Sequence, residues 1–525
     1  MKVQGGVVRA MTVVVGSTAL GSAIGFLKNV LAASYFGTSG PMDAYLVALV
    51  LPDLVSNFAL TGAFNFIPLF AEQAAISEEA GWRAANKMVS YWLALLLLVL
   101  VVTVALTPGI ISLIAPGFEG PQRERTIGIS RVLFLMTAAV GTSEVLALPL
   151  LAERRFFAIA ASEVAFQIAS TAFLVVFRSW GISALVWGMV FGGLVQLLVV
   201  VVGLGELRSR LRLDVDLRAP IVRRMLGLTM PTYIGNMSAK LNSIINRGFG
   251  SLLPEGAVSS LQYGMTLIDA PVSLLASPAT RTLFPFLASQ FAEDEKRARA
   301  NLGRALFSLT ALFAPIAVGT YVLATPIVRI MFQRGSFTGH STELTVGALQ
   351  IYAPLILTLA LNGLLTSAFN ARKNTQMPMR VGVLRVALNA SLCFLFVPGL
   401  GMRGIALSNT LADLVKVLLL VFFLWRVFPR AEAWATLGSV TRLVPPLALM
   451  TLVVYPAGRV AMAGGSWLAT VVLLVGVVLL GAVVYVGAFA LFCRDEASHY
   501  SSIARDELGR LRARFGAVRA EGVGR

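Results

Sequence analysis

Between Trp467 and Phe492 not one side chain carries a charge, and the same holds from Tyr91 to Leu106 and from Leu185 to Leu204. A hydrocarbon core about 30 Å thick takes roughly 20 apolar residues of helix to cross, and within it each backbone N–H and C=O must be satisfied internally. Runs of this length therefore restrict the fold to packed membrane-spanning helices. Composition agrees: 57% of the 525 residues are hydrophobic and 13% are charged, with a mean hydropathy of +0.80. A soluble chain carries about 25% charged residues. The expected fold class is all-α, a polytopic membrane protein.

Fourteen spans are expected, at about 7–36, 42–71, 86–107, 127–151, 156–178, 181–206, 224–250, 257–289, 303–325, 343–370, 377–398, 404–428, 439–458 and 466–493. Basic residues gather on alternate connections: Arg83 and Lys87, Arg154 and Arg155, Arg208 to Arg224, Lys296 to Arg304, and Arg372 to Arg380. The opposite connections hold few, among them Arg123, Arg178 and Arg403. Lys and Arg collect in cytoplasmic loops, so both termini are expected in the cytoplasm of a bacterial inner membrane protein. The first apolar segment lacks a small-residue cleavage site and reads as a retained helix.

A net charge of +17 then needs no nucleic acid to explain it. In the tail, Ile503, Leu508, Leu511, Phe515 and Val518 share one helical face opposite arginines, a pattern suited to an anionic leaflet. The same electrostatic reading covers Leu207 to Arg224.

The chain also repeats itself. Leu27-Lys28-Asn29 with Phe36-Gly37 returns as Lys240-Leu241-Asn242 with Phe249-Gly250. Tyr45 and Pro52 match Tyr263 and Pro271; Glu153-Arg154-Arg155 matches Ala371-Arg372-Lys373; Gly181-Ile182 matches Gly404-Ile405. Two parallel six-helix lobes around a central cavity follow, with two extra C-terminal helices. The expected divisions are 1–206 for the first lobe, 207–223 for an amphipathic cytoplasmic linker, and 224–430 for the second lobe. Residues 431–495 hold the extra helices and 496–525 the basic tail.

Nothing in the chain resembles an active site. GxxxxGK[ST], HExxH and GxSxG are absent, and two histidines and two cysteines make no metal spacing. Neither catalysis, a metal nor a cofactor is expected. What stands out is charge inside the spans: Lys28, Asp43, Asp53, Glu144, Glu163, Lys240, Arg247, Asp269, Arg385, Asp413 and Lys416. A charge at mid-bilayer costs at least about 2.5–3.5 kcal/mol, so each faces a partner or a cavity, or snorkels to an interface. Lys28 lies about eight residues, roughly 12 Å, before the uncharged turn at Phe36 to Pro41. That depth favours an interior binding charge. Lys240 and Arg247 at the repeat-related helix would add cations attractive to an anion, with Asp43 as charge partner or gate element. Gly16, Gly21, Gly25, Pro52, Gly62, Pro271 and Pro278 permit bends in a moving assembly.

Gly25-Phe26-Leu27-Lys28, Phe36-Gly37, Asp43-Ala44-Tyr45, Leu51-Pro52-Asp53-Leu54 and Gly62-Ala63-Phe64 together resemble the MurJ (MviN) family of lipid II flippases. Ala115-Pro116-Gly117-Phe118, Phe332-Gln333-Arg334-Gly335-Ser336-Phe337 and Ala368-Phe369-Asn370-Ala371-Arg372-Lys373 extend the resemblance along nearly the whole chain. It implies a member of the multidrug/oligosaccharidyl-lipid/polysaccharide exporter superfamily. Such a protein moves an undecaprenyl-pyrophosphate-linked glycan to the outer leaflet by alternating access. The last two helices would guide the lipid tail.

The family's cavity arginines fall on Ser22, on Lys28, near Ser56 and Asn57, and on Thr266, so only Lys28 keeps the cation. The resemblance thus adds Ser22, Asn57 and Thr266 to Lys28, Asp43, Lys240 and Arg247 as candidate substrate-binding residues. The family's sodium-site acids fall on Asn246 and Cys393, neither of them acidic. Three other readings stay open: a flippase for an O-antigen or exopolysaccharide unit, a cation-coupled drug exporter, and a non-transporting partner of cell-wall synthesis proteins. The expected partners are a lipid-linked anionic glycan and membrane lipids, for a monomer driven by membrane potential or an ion gradient.

Overall fold

The computed structural model describes residues 2–214, 216, 219–276, 289–291, 293–426, 438–461 and 467–498; the basic tail expected beyond them lies outside the described residues from position 499. Those residues are helical and contain no strand. They divide into two compact units. The first comprises Met1–Ala270, Met331–Tyr352 and Pro378–Lys416, and the second Pro271–Ile330, Ala353–Met377 and Val417–Arg525.

The first unit opens with α1 (Lys2–Phe36), α2 (Gly40–Ala48), α3 (Val50–Ala74), α4 (Glu78–Ile114), α5 (Gly120–Ala152), α6 (Phe156–Val176) and α7 (Ile182–Leu204). It continues with α8 (Pro220–Ser251) and α9 (Ala257–Pro271). Local chemistry sets several boundaries. The Ser77 hydroxyl accepts from the Ala80 N–H at 3.0 Å, and Glu78 and Glu79 follow in the first turn, where the helix dipole favours carboxylates. Pro220 starts α8 at a position that needs no N–H. Inside the unit, α6 packs on α7 and α1, and α5 on α3, α4 and α7. A core of Phe66, Met88, Trp92, Leu148, Val200 and Met225 ties α3, α4, α5, α7 and α8 together.

In the second unit α10 (Glu295–Val322) and α11 (Ala324–Phe332) are followed, after α12 (Gly339–Tyr352) of the first unit, by α13 (Leu355–Ala371). Helices α14 (Gln376–Leu400) and α15 (Met402–Trp425), which belong to the first unit from Pro378 to Lys416, precede α16 (Val444–Ala461) and α17 (Trp467–Phe492) of the second. α10 packs on α13 and α16, and α16 on α17. The Tyr485 hydroxyl donates to the Ala311 carbonyl at 2.8 Å, anchoring the otherwise apolar α17. Val472, Leu479 and Val483 lie more than half exposed on that helix, as side chains facing acyl chains do.

Ten described helices are long and apolar enough to cross a membrane, eleven when the bent pair α12–α13 counts as one span. The other three expected spans fall on α2–α3, α8 and α9, which do not pass that test. Helix α8 carries Lys240, Asn242, Asn246 and Arg247, which lower its hydropathy.

The repeat is visible in the backbone. α5 ends with Arg154 at φ 58° and an N–H of Arg155 bonded to the Leu150 carbonyl at 2.8 Å. α13 ends with Lys373 at φ 60° and the Asn374 N–H on the Phe369 carbonyl at 3.0 Å. The two helices share one kind of ending, which falls one residue out of register with the alignment of Glu153-Arg154-Arg155 on Ala371-Arg372-Lys373, where Arg154 stands against Arg372.

The linker departs from expectation. Residues 205–209 form a short 3-10 turn rather than a helix on the leaflet, and α-helix resumes only at Pro220. Leu207 is buried in the core. Arg210 pairs with Glu78, Lys87 reaches Asp216 at 3.0 Å, and Ser90 Oγ accepts from the Asp214 N–H at 2.9 Å. The described part of the linker is therefore strapped onto α4. Its charges find partners in the protein, which a helix-periodicity argument does not foresee.

Candidate functional site

Three of the motif segments, Phe36-Gly37, Asp43-Ala44-Tyr45 and Phe332 to Phe337, meet α9 in the first unit. Asp43, 3% exposed, accepts the Gly256 N–H on Oδ2 and the Ser259 N–H on Oδ1, both at 2.7 Å. Its carboxylate thus caps the start of α9, where unpaired N–H groups favour a negative charge. The Tyr263 hydroxyl donates to the Gly37 carbonyl at 3.1 Å, and Tyr263 packs with Phe332 and Phe337. The Ser336 N–H bonds the Ser34 carbonyl at 2.8 Å. Gly37 and Gly335 both have positive φ; a Cβ on the first would strike the Ser336 carbonyl, and on the second the Ser34 carbonyl. Only glycine lets these loops approach so closely. The result is a latch joining the first helical pair to α9 and to the Phe332–Phe337 segment.

Away from the latch, α1, α3, α5, α6 and α7 enclose a cavity of about 560 Å³. α1 contributes Thr18 and Ser22, and α3 Asp53 and Ser56. Ser143 and Glu144 come from α5, Gln196 from α7. On α6, Ser162, Glu163 and Gln167 face it, and the i, i+4 spacing of the last two stacks them one turn apart. No cationic side chain lines it among the described residues.

Lys28 stands one side chain behind this wall. Its ammonium donates to Gln167 Oε1 at 3.0 Å and to Ser170 Oγ at 3.1 Å, and lies 5.1 Å from the centre of the Phe166 ring. At 8% exposure it is an interior charge, not a snorkelling one. It does not pair with Asp43, whose oxygens are spent on α9. Nor do its described contacts reach the cations of α8, which have Asp53 as their electrostatic neighbour.

Of the other candidates, Ser22 lines the cavity, Asn57 donates to the Asp53 carbonyl at 2.8 Å, and Thr266 bonds back to Gln262 within α9 at 2.9 Å. Glu144, one of the span charges that could face a cavity or snorkel to an interface, lies in the cavity wall, and Glu163, 19 residues further on, lines the same cavity.

Helices α8, α14 and α15 share a second polar network. Arg385 pairs with Asp413 at 2.9 Å, the carboxylate being 2% exposed, and donates to Asn409 Oδ1 at 2.9 Å, which also accepts from Asn242. Asn389 donates to Asn246 at 2.9 Å, beside Cys393. At the family's sodium positions stand an amide and a thiol in place of carboxylates, and the one carboxylate of the network, Asp413, is paired with the Arg385 guanidinium. The residues at the family's sodium positions therefore do not fit the ion, and no step is derived through it. No described group of three His, Cys, Asp or Glu suits a metal ion.

This arrangement of helices defines a class of membrane transporter. A solved structure titled "Lipid II flippase MurJ, inward closed conformation" superposes with a TM-score of 0.77 at 20% identity, over 92% of this chain and 99% of that one. An inward-facing multidrug resistance MATE transporter of the MOP superfamily reaches 0.64 at 14% identity, over 78% of this chain and 95% of the other. The family model described as lipid II flippase MurJ matches residues 32–478. A probable lipid II flippase MurJ of Rhizobium meliloti is 31% identical, over 84% of this chain and 85% of that protein. The lipid II flippase MurJ of Burkholderia cenocepacia is 28% identical over 78% and 82%. The chain belongs to the lipid II flippase MurJ family.

Proposed function

We propose that this protein moves lipid II, or a close polyprenyl-pyrophosphate-linked relative, from the inner to the outer leaflet of a bacterial cytoplasmic membrane. The observation that carries this reading is the family match across residues 32–478. The substrate has a lipid tail that stays in the bilayer and a polar head that needs a shielded path. A half-open cavity of about 560 Å³ between spanning helices, with serines, glutamines and acids set among apolar side chains, offers part of such a path. The latch at Asp43 is the gate element in this scheme: its two hydrogen bonds break and re-form as access alternates. Both termini lie in the cytoplasm, two six-helix halves move against each other, and the last two helices guide the tail.

Lys240 and Arg247 supply cations for the pyrophosphate through charge-assisted hydrogen bonds. Lys28 holds Gln167 in the cavity wall and adds positive potential behind it. Without a nucleotide site, the cycle draws on membrane potential or an ion gradient, and one charge moved through 100 mV is worth about 2.3 kcal/mol. Ser22 and Thr266 stand where the family carries arginines, which favours a related glycan carrier as the second reading.

The test is growth of a strain depleted of its own lipid II flippase. The wild-type gene and Lys28→Arg should restore growth, and Lys28→Met at matched expression should not. Failure of the wild-type gene would exclude lipid II as the substrate, and equal growth with Lys28→Met would remove the role given to the Lys28 charge.

A further inference from the structure

We infer that the cavity of the first unit is a recognition site for a free ammonium group on the polar head of the transported molecule, gripped by Glu144 and Glu163. This rests on the flippase reading and assigns one part of the head to one wall of the protein. Both carboxylates line the cavity, and no Lys, Arg or His lines it among the described residues. Lys28, the buried cation behind the wall, is engaged by Gln167 and Ser170. Asp53, the third acid in the wall, has Lys240 and Arg247 of α8 as electrostatic neighbours. Glu144, and Glu163 which is exposed, have no such counterpart in the wall among the described residues.

The unmet hydrogen-bonding capacity points the same way. Glu144 Oε2 is shut off from solvent and has no hydrogen-bond partner among the described residues. Ser143, its neighbour in the wall, is 1% exposed, and its hydroxyl is also unpartnered. A carboxylate only accepts, so its guest must donate. A buried acceptor left without a donor is costly, and a primary ammonium brings three donors with the neutralising charge. A pyrophosphate would be repelled here. A bare metal ion does not fit either, since no described group of three acidic or metal-binding side chains is close enough to hold one. At about 560 Å³ the cavity is of the size that takes organic groups, and Ser162 and Gln196 offer hydroxyl and amide oxygens around the ammonium.

The test uses the full-length protein in nanodiscs and a polyprenyl-pyrophosphate-linked glycopeptide with one free primary amine, compared with the same molecule after N-acetylation. Binding is followed by native mass spectrometry. Acetylation should weaken binding to the wild type about tenfold or more, as expected for loss of a charge-assisted contact. Glu144→Gln together with Glu163→Gln should weaken binding of the amine form to the level of the acetylated form. Binding of the acetylated form should not change. Equal binding of both forms by the wild type would overturn the ammonium site and leave the flippase reading intact, as would discrimination that survives in the double variant. If the wild type binds neither form, the flippase reading fails and this site with it. The comparison on the wild type needs no variant, so misfolding of the glutamine protein does not obscure it.

Discussion

Asp43 and Glu144 are both carboxylates in the interior of the same unit, and their surroundings could hardly differ more. Each oxygen of Asp43 holds a backbone N–H at 2.7 Å, so both are satisfied by the protein itself. Glu144 sits in a cavity wall with one oxygen buried and unpartnered. Asp413 resembles Asp43: it is 2% exposed and paired with Arg385. Burial penalises all three charges, but only satisfaction by the protein itself turns a buried charge into a structural element. A charge left unsatisfied is kept for something that comes and goes.

That contrast sets the order of expected effects. The largest should follow Arg385→Ala, which strands the Asp413 carboxylate; losing one partner of a buried pair costs about 3–5 kcal/mol. A fall in the unfolding midpoint of the purified protein is the readout, and an unchanged midpoint would show that Asp413 is satisfied from elsewhere. Asp43→Ala comes next. It leaves two N–H groups at the start of α9 without acceptors, a loss of about 2–4 kcal/mol, and transport should fail with stability. Asp43→Asn keeps one acceptor and should fall between.

Gly335→Ala tests the latch without touching a charge. Its φ of 58° alone costs about 1–2 kcal/mol for an L-residue, and the added methyl meets the Ser34 carbonyl. A midpoint equal to wild type would mean that the loop can retreat. The smallest change in stability should come from Glu144→Gln, within about 0.5 kcal/mol or on the stabilising side, because no partner in the protein is lost. Transport should nevertheless drop. A destabilisation like that of Asp43→Ala would place Glu144 among the structural charges and erase the distinction. Exposed pairs, such as Arg224 of α8 with Glu72 of α3 at 2.7 Å, should contribute about 0–1 kcal/mol each and lie below all of these.

Reading the sequence located the ingredients of the site more surely than their pairings. Lys28 was legible as an interior charge because its depth in α1 leaves no short route to water. Its partners were not, since Gln167 and Ser170 are neutral residues more than a hundred positions away, on a helix face that only packing selects. Asp43 was placed beside Lys28 on the strength of sequence proximity. The turn at Gly37 carries it to α9 instead, where a helix N-terminus outcompetes an ammionium-bearing side chain already bonded elsewhere. The linker at 207–223 reads as amphipathic, yet its arginine at position 210 had an acidic partner waiting at Glu78.

By itself the sequence determined the solvent this protein folds in, because uncharged runs of twenty residues have no other stable place. The matched turn residues left a trace as well: Arg154 and Lys373, one position out of register in the alignment, both end their helices at positive φ. The family motifs, too, are local and survive as strings. Only the tertiary structure decided which buried charges are neutralised. Ion pairing and hydrogen bonding act over about 3 Å between residues that the chain separates widely, and apolar periodicity says which face of a helix is inside but not which side chain it will meet there. Asp43 and Glu144 look alike in the sequence; the packing of α9 against one and of an open cavity against the other made them different.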